Sequence, residues 1–356
     1  MISLLDVLKL AKEQGASDIH ITANSPPALR INGSLLRLET KELSPEDTKT
    51  MCYSLISDEQ KSKFENQKYL DFSFFVSNVS RFRGALFFQK GSVAGVFRLL
   101  QLSPPETSEL GLPPSIENTI HYPNGLVLVT GPTGSGKSTT VSAIIDAINV
   151  SRKSHILTLE DPIEIVHSHK NCIISQRELG LDCHSFSDGM KTALRADPDI
   201  CFVGEMRDPE TIELALKLAE TGHLVLSTLH TNSVAKTVDR IVSSFPGSER
   251  ELICNQLSTV LQSIISQKLV KNKQGGRSVV VEVLFANAAI RNLIRDNKIF
   301  QIYSVLQTCH EEGMLTMNQS LLKLVKEGAI DSKEAFNVAY EKDELYQLLK
   351  RNKIAS

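Results

Sequence analysis

Residues 131–139 read Gly-Pro-Thr-Gly-Ser-Gly-Lys-Ser-Thr, the residue types and spacing of a loop that cradles phosphates. Glycines let backbone N–H groups turn inward around an anion, and the start of a following helix adds its dipole. Lys137 is long enough to reach β- and γ-phosphates, and Ser138 can offer a hydroxyl to Mg²⁺. Gly131, Pro132, Thr133, Gly134, Ser135, Gly136, Lys137, Ser138 and Thr139 together form the expected nucleotide-binding set. The motif needs a buried strand before it and a helix after it. Gly125–Thr130 reads as the first and Thr139–Ile148 as the second, so the chain is expected to bind a nucleoside triphosphate.

Further along the chain lie residues suited to act on that ligand. Glu160, Asp161 and Glu164 place three carboxylates in five residues at the end of an apolar run, with Pro162 ending the strand. One of them could orient water at the γ-phosphate, since phosphoryl transfer needs positioning more than covalent chemistry. Ile200–Gly204 is a second apolar run closed by Glu205, an arrangement that holds Mg²⁺ directly or through water; Gly204 stands where many such sites carry Asp. His223 and His230 flank a third apolar run. His230 follows its carboxyl end and is the better candidate to sense the γ-phosphate. The spacing of the histidines does not suggest zinc. Arg81, Arg83, Arg98, Arg195 and Arg207 are candidates to stabilise transition-state charge, and the residues alone do not choose among them.

The elements that must position these groups fall into two patterns. Up to about residue 102 a helix is followed by short alternating strands, including a hairpin over 28–38 with an Asn32-Gly33 turn. That predicts a small α+β domain over 1–102 with a mostly antiparallel sheet. Pro104-Pro105 and Pro113-Pro114 then bracket a segment, 103–120, expected to be a semi-rigid linker. From 121 to 285 strands alternate with helices, predicting a mainly parallel sheet covered on both faces, with ligands at the carboxyl ends of its strands. Strands are expected at 126–130, 155–159, 200–204, 223–228 and 279–284, and helices at 138–149, 187–195, 209–221, 234–243 and 249–266. Residues 286–356 carry only helical patterns.

Bulk properties narrow the classes. With 41% hydrophobic residues, 22% charged residues and a formal charge of −2, the chain is an ordinary globular one without the basic surplus of a nucleic-acid binder. Six cysteines scattered without a C-x-x-C pair suggest reduced thiols, and no run is long and apolar enough to span a membrane. A cytoplasmic location is expected.

Taken together, residues 131–139, Leu-Glu-Asp-Pro-Ile-Glu (159–164), Val-Gly-Glu-Met-Arg-Asp (203–208) and Thr-Gly-His…Thr-Leu-His-Thr (221–231) resemble the type II/IV secretion ATPase superfamily, and within it the pilus-retraction branch. Gly-Ala-Ser-Asp-Ile-His (15–20), Arg-Phe-Arg (81–83) and Ala-Ile-Arg-Asn-Leu-Ile-Arg (289–295) extend the likeness over nearly the whole chain. The resemblance implies an α/β fold: a RecA-like P-loop ATPase core, a smaller α+β PAS-like N-terminal domain and a helical C-terminal appendage. It implies a homo-hexameric motor that hydrolyses ATP with Mg²⁺ and powers retraction of type IV pili. An accessory retraction ATPase with little turnover of its own is the alternative. By motif position Glu164 becomes the general base, Glu205 the Walker B acid, and His223 and His230 the histidine box, while Arg81, Arg83 and Arg98 are favoured as arginines acting on a neighbour's nucleotide. The implied partners are an inner-membrane platform protein at the pilus base, where the ring sits peripherally, and a paralogous retraction ATPase, with no nucleic acid. The missing C-x-x-C zinc segment and longer N-terminal extension point away from the pilus-assembly and type II secretion branches. Ile290, Leu293 and Ile294 share one helix face and Arg291 and Arg295 another, which the resemblance links to retraction as a docking surface.

Overall fold

The computed structural model describes residues 2–31, 33–100 and 103–354. These divide into two compact units, residues 1–103 with 164–166, and residues 104–163 with 167–356.

The first unit begins with helix α1 (Leu4–Glu13), whose N-terminus is capped by the Ser3 hydroxyl and whose Leu4, Val7, Leu8 and Ala11 face the core. Strands β1 (Asp18–Ile21), β2 (Ala28–Ile31) and β3 (Ser34–Arg37) follow, then helices α2 (Pro45–Tyr53) and α3 (Asp58–Gln67), then β4 (Tyr69–Val76), β5 (Ser80–Gln89) and β6 (Ser92–Leu99). All pair antiparallel in the order β3-β2-β1-β6-β5-β4. Asn32 of the expected hairpin turn, and Gln101 and Leu102 at the end of the expected domain, lie outside the described residues. Helix α3 has no counterpart in the sequence reading. Phe64 is its one buried residue, so no apolar stripe announces it.

The second unit opens with α4 (Asn118–His121), then β7 (Gly125–Thr130), α5 (Lys137–Ser151), β8 (His155–Glu160), β9 (Ile173–Glu178), α6 (Phe186–Ala193), β10 (Ile200–Val203), α7 (Pro209–Glu220) and β11 (Leu224–Leu229). It continues with α8 (Val234–Ser243), α9 (Arg250–Val260), β12 (Leu261–Lys271), β13 (Arg277–Phe285), α10 (Ala288–Arg295), α11 (Ile302–Leu306), α12 (Met317–Lys326), α13 (Ser332–Val338) and α14 (Lys342–Arg351). The seven-stranded sheet runs β13-β12-β7-β11-β10-β8-β9, parallel except for β13. Every residue of β7, β10 and β11 is buried, as expected of parallel strands covered on both faces.

Three sequence expectations change. The helix expected over 249–266 ends at Val260, and Leu261 opens an eleven-residue strand. That strand lies between β7 and β13 with Ile264 and Ile265 both fully buried, so it lacks the alternation that separates strand from helix. Strand β9 was not anticipated: it is an edge strand whose register brings Glu178 opposite Glu160. The proline-bracketed segment is not free chain at its carboxyl end, where Ile116 and Ile120 enter the main core of the second unit. After residue 286 the chain forms helices, and α12–α14 enclose a core of their own with Val270 and Val280.

Because Ile264 is fully buried in a central strand, Ile264→Ala is expected to destabilise the second unit by about 2–4 kcal/mol. A lowered urea midpoint with an unchanged slope would be the signature; an unchanged midpoint would contradict the strand assignment.

Candidate functional site

The phosphate loop leaves β7 at Thr130 and closes into α5 at Lys137. Gly131, Gly134 and Gly136 all adopt positive φ. At Gly131 the need for glycine is absolute, because a Cβ there would lie 2.2 Å from the Gln267 carbonyl oxygen and 2.6 Å from the Ser135 hydroxyl. Gln267, on β12, also donates its side-chain amide to the Ser135 carbonyl at 2.6 Å. It is a bracing residue that sequence reasoning missed. The sequence offered no clear signal, because Gln267 is one of several polar residues in the stretch 261–271. Pro132, Thr133 and Gly134 are exposed at the loop's tip, and Ser138 and Thr139 are half-buried in the first turn of α5.

Lys137 is buried and turned back onto the loop, donating to the carbonyls of Gly131 at 2.9 Å and Pro132 at 3.2 Å. Its ammonium lies 3.4 Å from Nδ1 of His230. An ammonium has no lone pair, so Nδ1 must accept and the ring proton of a neutral His230 belongs on Nε2. Nε2 is 3.4 Å from Oε1 of Glu205, and Oε2 of the same carboxylate accepts from Arg207 Nε at 2.8 Å. This hydrogen bond and the carboxylate's charge raise the Arg207 pKa further, keeping the cation in place. The result is a continuous polar row, Lys137–His230–Glu205–Arg207, across the carboxyl ends of β7, β11 and β10. A lysine donor, an imidazole and a carboxylate in such a row can bind a polyphosphate, sense its terminal group and hold a hard cation.

Gly204, where an acid was the commoner expectation, is explained by space. Its N–H donates to the Leu159 carbonyl and its own carbonyl accepts from Thr228 Oγ1, while a Cβ would lie 3.1 Å from the Leu159 oxygen. Of the acids at the end of β8, Glu160 is buried, its Oε1 accepting from Thr158 Oγ1 at 2.7 Å and Gln176 Nε2 at 2.9 Å. Asp161 and Glu164 are exposed, and Glu164 groups with the first unit. His223 is not drawn into the row. It precedes β11 at the opposite edge of the sheet, roughly 20 Å of strand from His230, with Nδ1 3.0 Å from the Leu218 carbonyl.

The arginines separate in the same way. In the first unit Ser73, Arg83, Arg98, Asp18, Arg30 and Leu35 form one cross-strand row, so Arg83 and Arg98 stand directly opposite each other. Arg81 shares that face and donates to Ser73 Oγ at 3.0 Å. Asp18 accepts from Arg98 at 2.9 Å. Burial would raise its carboxyl, but the Ser17 hydroxyl and Arg98 outweigh burial and hold it below the ordinary value. Arg195 is exposed at the end of α6. Arg291, expected on a docking face, instead turns inward and donates to the carbonyls of Ser258 and Thr259, both at 2.8 Å, at the carboxyl end of α9. Ile290 and Ile294 are fully buried beneath it, as the amphipathic pattern predicts. Arg295 donates to Asn292 Oδ1 at 3.2 Å. Among the described residues no cluster of three or more His, Cys, Asp or Glu side chains forms a metal cage.

Known proteins resemble this chain in sequence and in fold. The family model described as type II/IV secretion system protein matches residues 2–337. The type IV pilus retraction ATPase PilT of Pseudomonas aeruginosa is 45% identical over 334 residues, covering 94% of this chain and 97% of the relative. The pilus ATPase PilU of the same organism is 35% identical over 345 residues, covering 97% and 90%. A crystal structure of the pilus retraction motor PilT with bound ADP superposes with a TM-score of 0.92 at 49% identity, covering 98% of this chain and all of that one.

Gly131→Ala is expected to abolish binding of a fluorescent ATP analogue as fully as Lys137→Ala, by driving the loop off β12. Binding retained by Gly131→Ala would mean that the loop does not need this close approach.

Proposed function

We propose that this chain, which belongs to the type II/IV secretion system protein family, works as a ring-forming ATPase that retracts type IV pili. The observation that carries the reading is the row Lys137–His230–Glu205–Arg207, which joins three separate sequence motifs around one phosphate loop. The 45% identity to a protein named as a type IV pilus retraction ATPase supports retraction as the work done.

In this reading the backbone amides of residues 131–139 hold the phosphates and Lys137 swings from its two loop carbonyls to the β- and γ-phosphates. The Ser138 hydroxyl and the Glu205 carboxylate are hard oxygen donors of the kind Mg²⁺ takes, so they would hold that ion directly or through water. When bound, the ion neutralises charge on the β- and γ-phosphates. His230, already proton-bearing at Nε2 toward Glu205, reports the terminal phosphate back to the acid. Glu164, exposed and therefore able to meet a water, is the general base, and Arg81, Arg83 and Arg98 act on the nucleotide of a neighbouring subunit. Six copies form the ring, each shifting its N-terminal domain (1–102) on the segment 103–120 against the core (121–285). His223, remote from this row within one chain, belongs in this scheme to the subunit boundary. The ring sits on the cytoplasmic side of the inner membrane, docked on the platform protein at the pilus base; no helix among the described residues is long and apolar enough to cross a membrane.

Glu164→Gln is expected to lower kcat by about 10²-fold while leaving nucleotide affinity unchanged, the loss typical of a removed general base. Glu160→Gln serves as the contrast: if that variant, and not Glu164→Gln, stops turnover, the base is the buried acid of β8. In cells, a retraction assay with the Glu164→Gln variant should give assembled pili that do not shorten.

A further inference from the structure

Glu282 is a buried carboxylate that the chemistry above leaves unused. It lies on β13, 2% exposed, and its Oε1 accepts the amide N–H of Val234 at 2.7 Å. The Met317 backbone also faces it and counters the effect of burial on its pKa. Val234 is the first residue of α8 and Met317 the first of α12, so one carboxylate binds the N-terminus of one helix and faces that of a second. First-turn amides have no partner within their helix, and the helix dipole favours negative charge there. Burial raises the Glu282 pKa, and these two amides oppose the rise.

Both helices lead to places of interest. Helix α8 begins four residues after His230, and its Thr237 hydroxyl meets Thr231 at 2.7 Å and Thr130, the residue before the phosphate loop, at 3.4 Å. The first turns of α8 therefore hold the ends of β11 and β7 together. On the other side, Asn318 of α12 donates to Glu344 of α14, which also binds the Tyr303 hydroxyl. Lys268, on β12, donates to the Val338 carbonyl and sits 3.6 Å from the Tyr340 ring centre, fastening the link after α13.

We propose that Glu282 is a positioning residue for ATP hydrolysis: it fixes the start of α8, thereby sets the His230–Thr231 turn against the phosphate loop, and ties that turn to helices α12–α14. The proposal rests on the reading of His230 as the γ-phosphate contact. A purely structural carboxylate would affect stability alone. A positioning one affects turnover and spares the binding of ADP, which has no γ-phosphate to present to His230.

The test is a double-mutant cycle on the full chain. Val234→Pro deletes one donated N–H while keeping the helix start, because proline suits the first helical position and the extended Ser233 before it is compatible with a following proline. Glu282→Gln keeps the shape but replaces one carboxylate oxygen, an acceptor, with Nε2, which can only donate, and removes the charge. Each variant is expected to lower kcat about fivefold, within the range of measured couplings, with ADP affinity unchanged. The double variant should be no slower than the slower single one. Losses that multiply, or a lowered thermal midpoint with wild-type kcat at 25 °C, would overturn the proposal. His230→Ala separates the two readings. If it leaves turnover unchanged, the assignment of His230 falls and this proposal with it. If it slows turnover while Val234→Pro and Glu282→Gln do not, only the role of Glu282 falls.

Discussion

The parallel register of β7, β11 and β10 is the constraint on which the site depends. Leu229 pairs with Thr130 and Ser227 with Val203, so three strands end nearly level. Whatever follows each strand emerges along one edge: the phosphate loop, then His230, then Glu205. None of these groups is close to another in sequence, and no single loop could hold them to hydrogen-bonding distance. The sheet does so because its ladder fixes where each strand stops. The apolar burial on both faces of these strands is what fixes the ladder.

Within that frame, the loop is shaped by contacts with β12 as much as by its own sequence. The Gln267 carbonyl occupies the space a Gly131 side chain would need, and the Gln267 amide holds Ser135 from the same side. The glycine pattern of the loop is thus half of an interlocking pair, with the other half on β12, far along the chain. A similar economy governs Gly204, which lets β10 lie against the end of β8. Arg291 closes the carboxyl end of α9 and so fixes the turn into β12, the strand that braces the loop.

What could be read in the sequence follows from how local each signal is. The phosphate loop, Glu205 and His230 were legible because each sits directly after a short apolar run, and the chemistry is written in adjacent residues. Strand β12 was illegible because a strand buried on both faces has no period, and its apolar content reads equally well as helix. The distinction between Glu160 and Glu164 was illegible too: both are acids at one strand's end, and only pairing with Gln176 on the unanticipated edge strand separates the buried one from the exposed one. The inward turn of Arg291 escaped for a different reason. Helical spacing gives the face of a residue but not the length of an arginine, which can reach round to carbonyls of a neighbouring helix.

The face of the antiparallel sheet in the first unit carries an unbalanced charge. Arg83 faces Arg98 across the β5–β6 ladder, and the single acid in that row, Asp18, is shared between Arg98 and Arg30. Like charges placed opposite each other weaken a sheet, and dissolved salt weakens their repulsion over a distance of about 8 Å at physiological ionic strength. The unit therefore carries an electrostatic tension between these two guanidinium groups that counter-ions relieve. The sheet face is in this sense a charged spring whose resting tension is set by ionic strength.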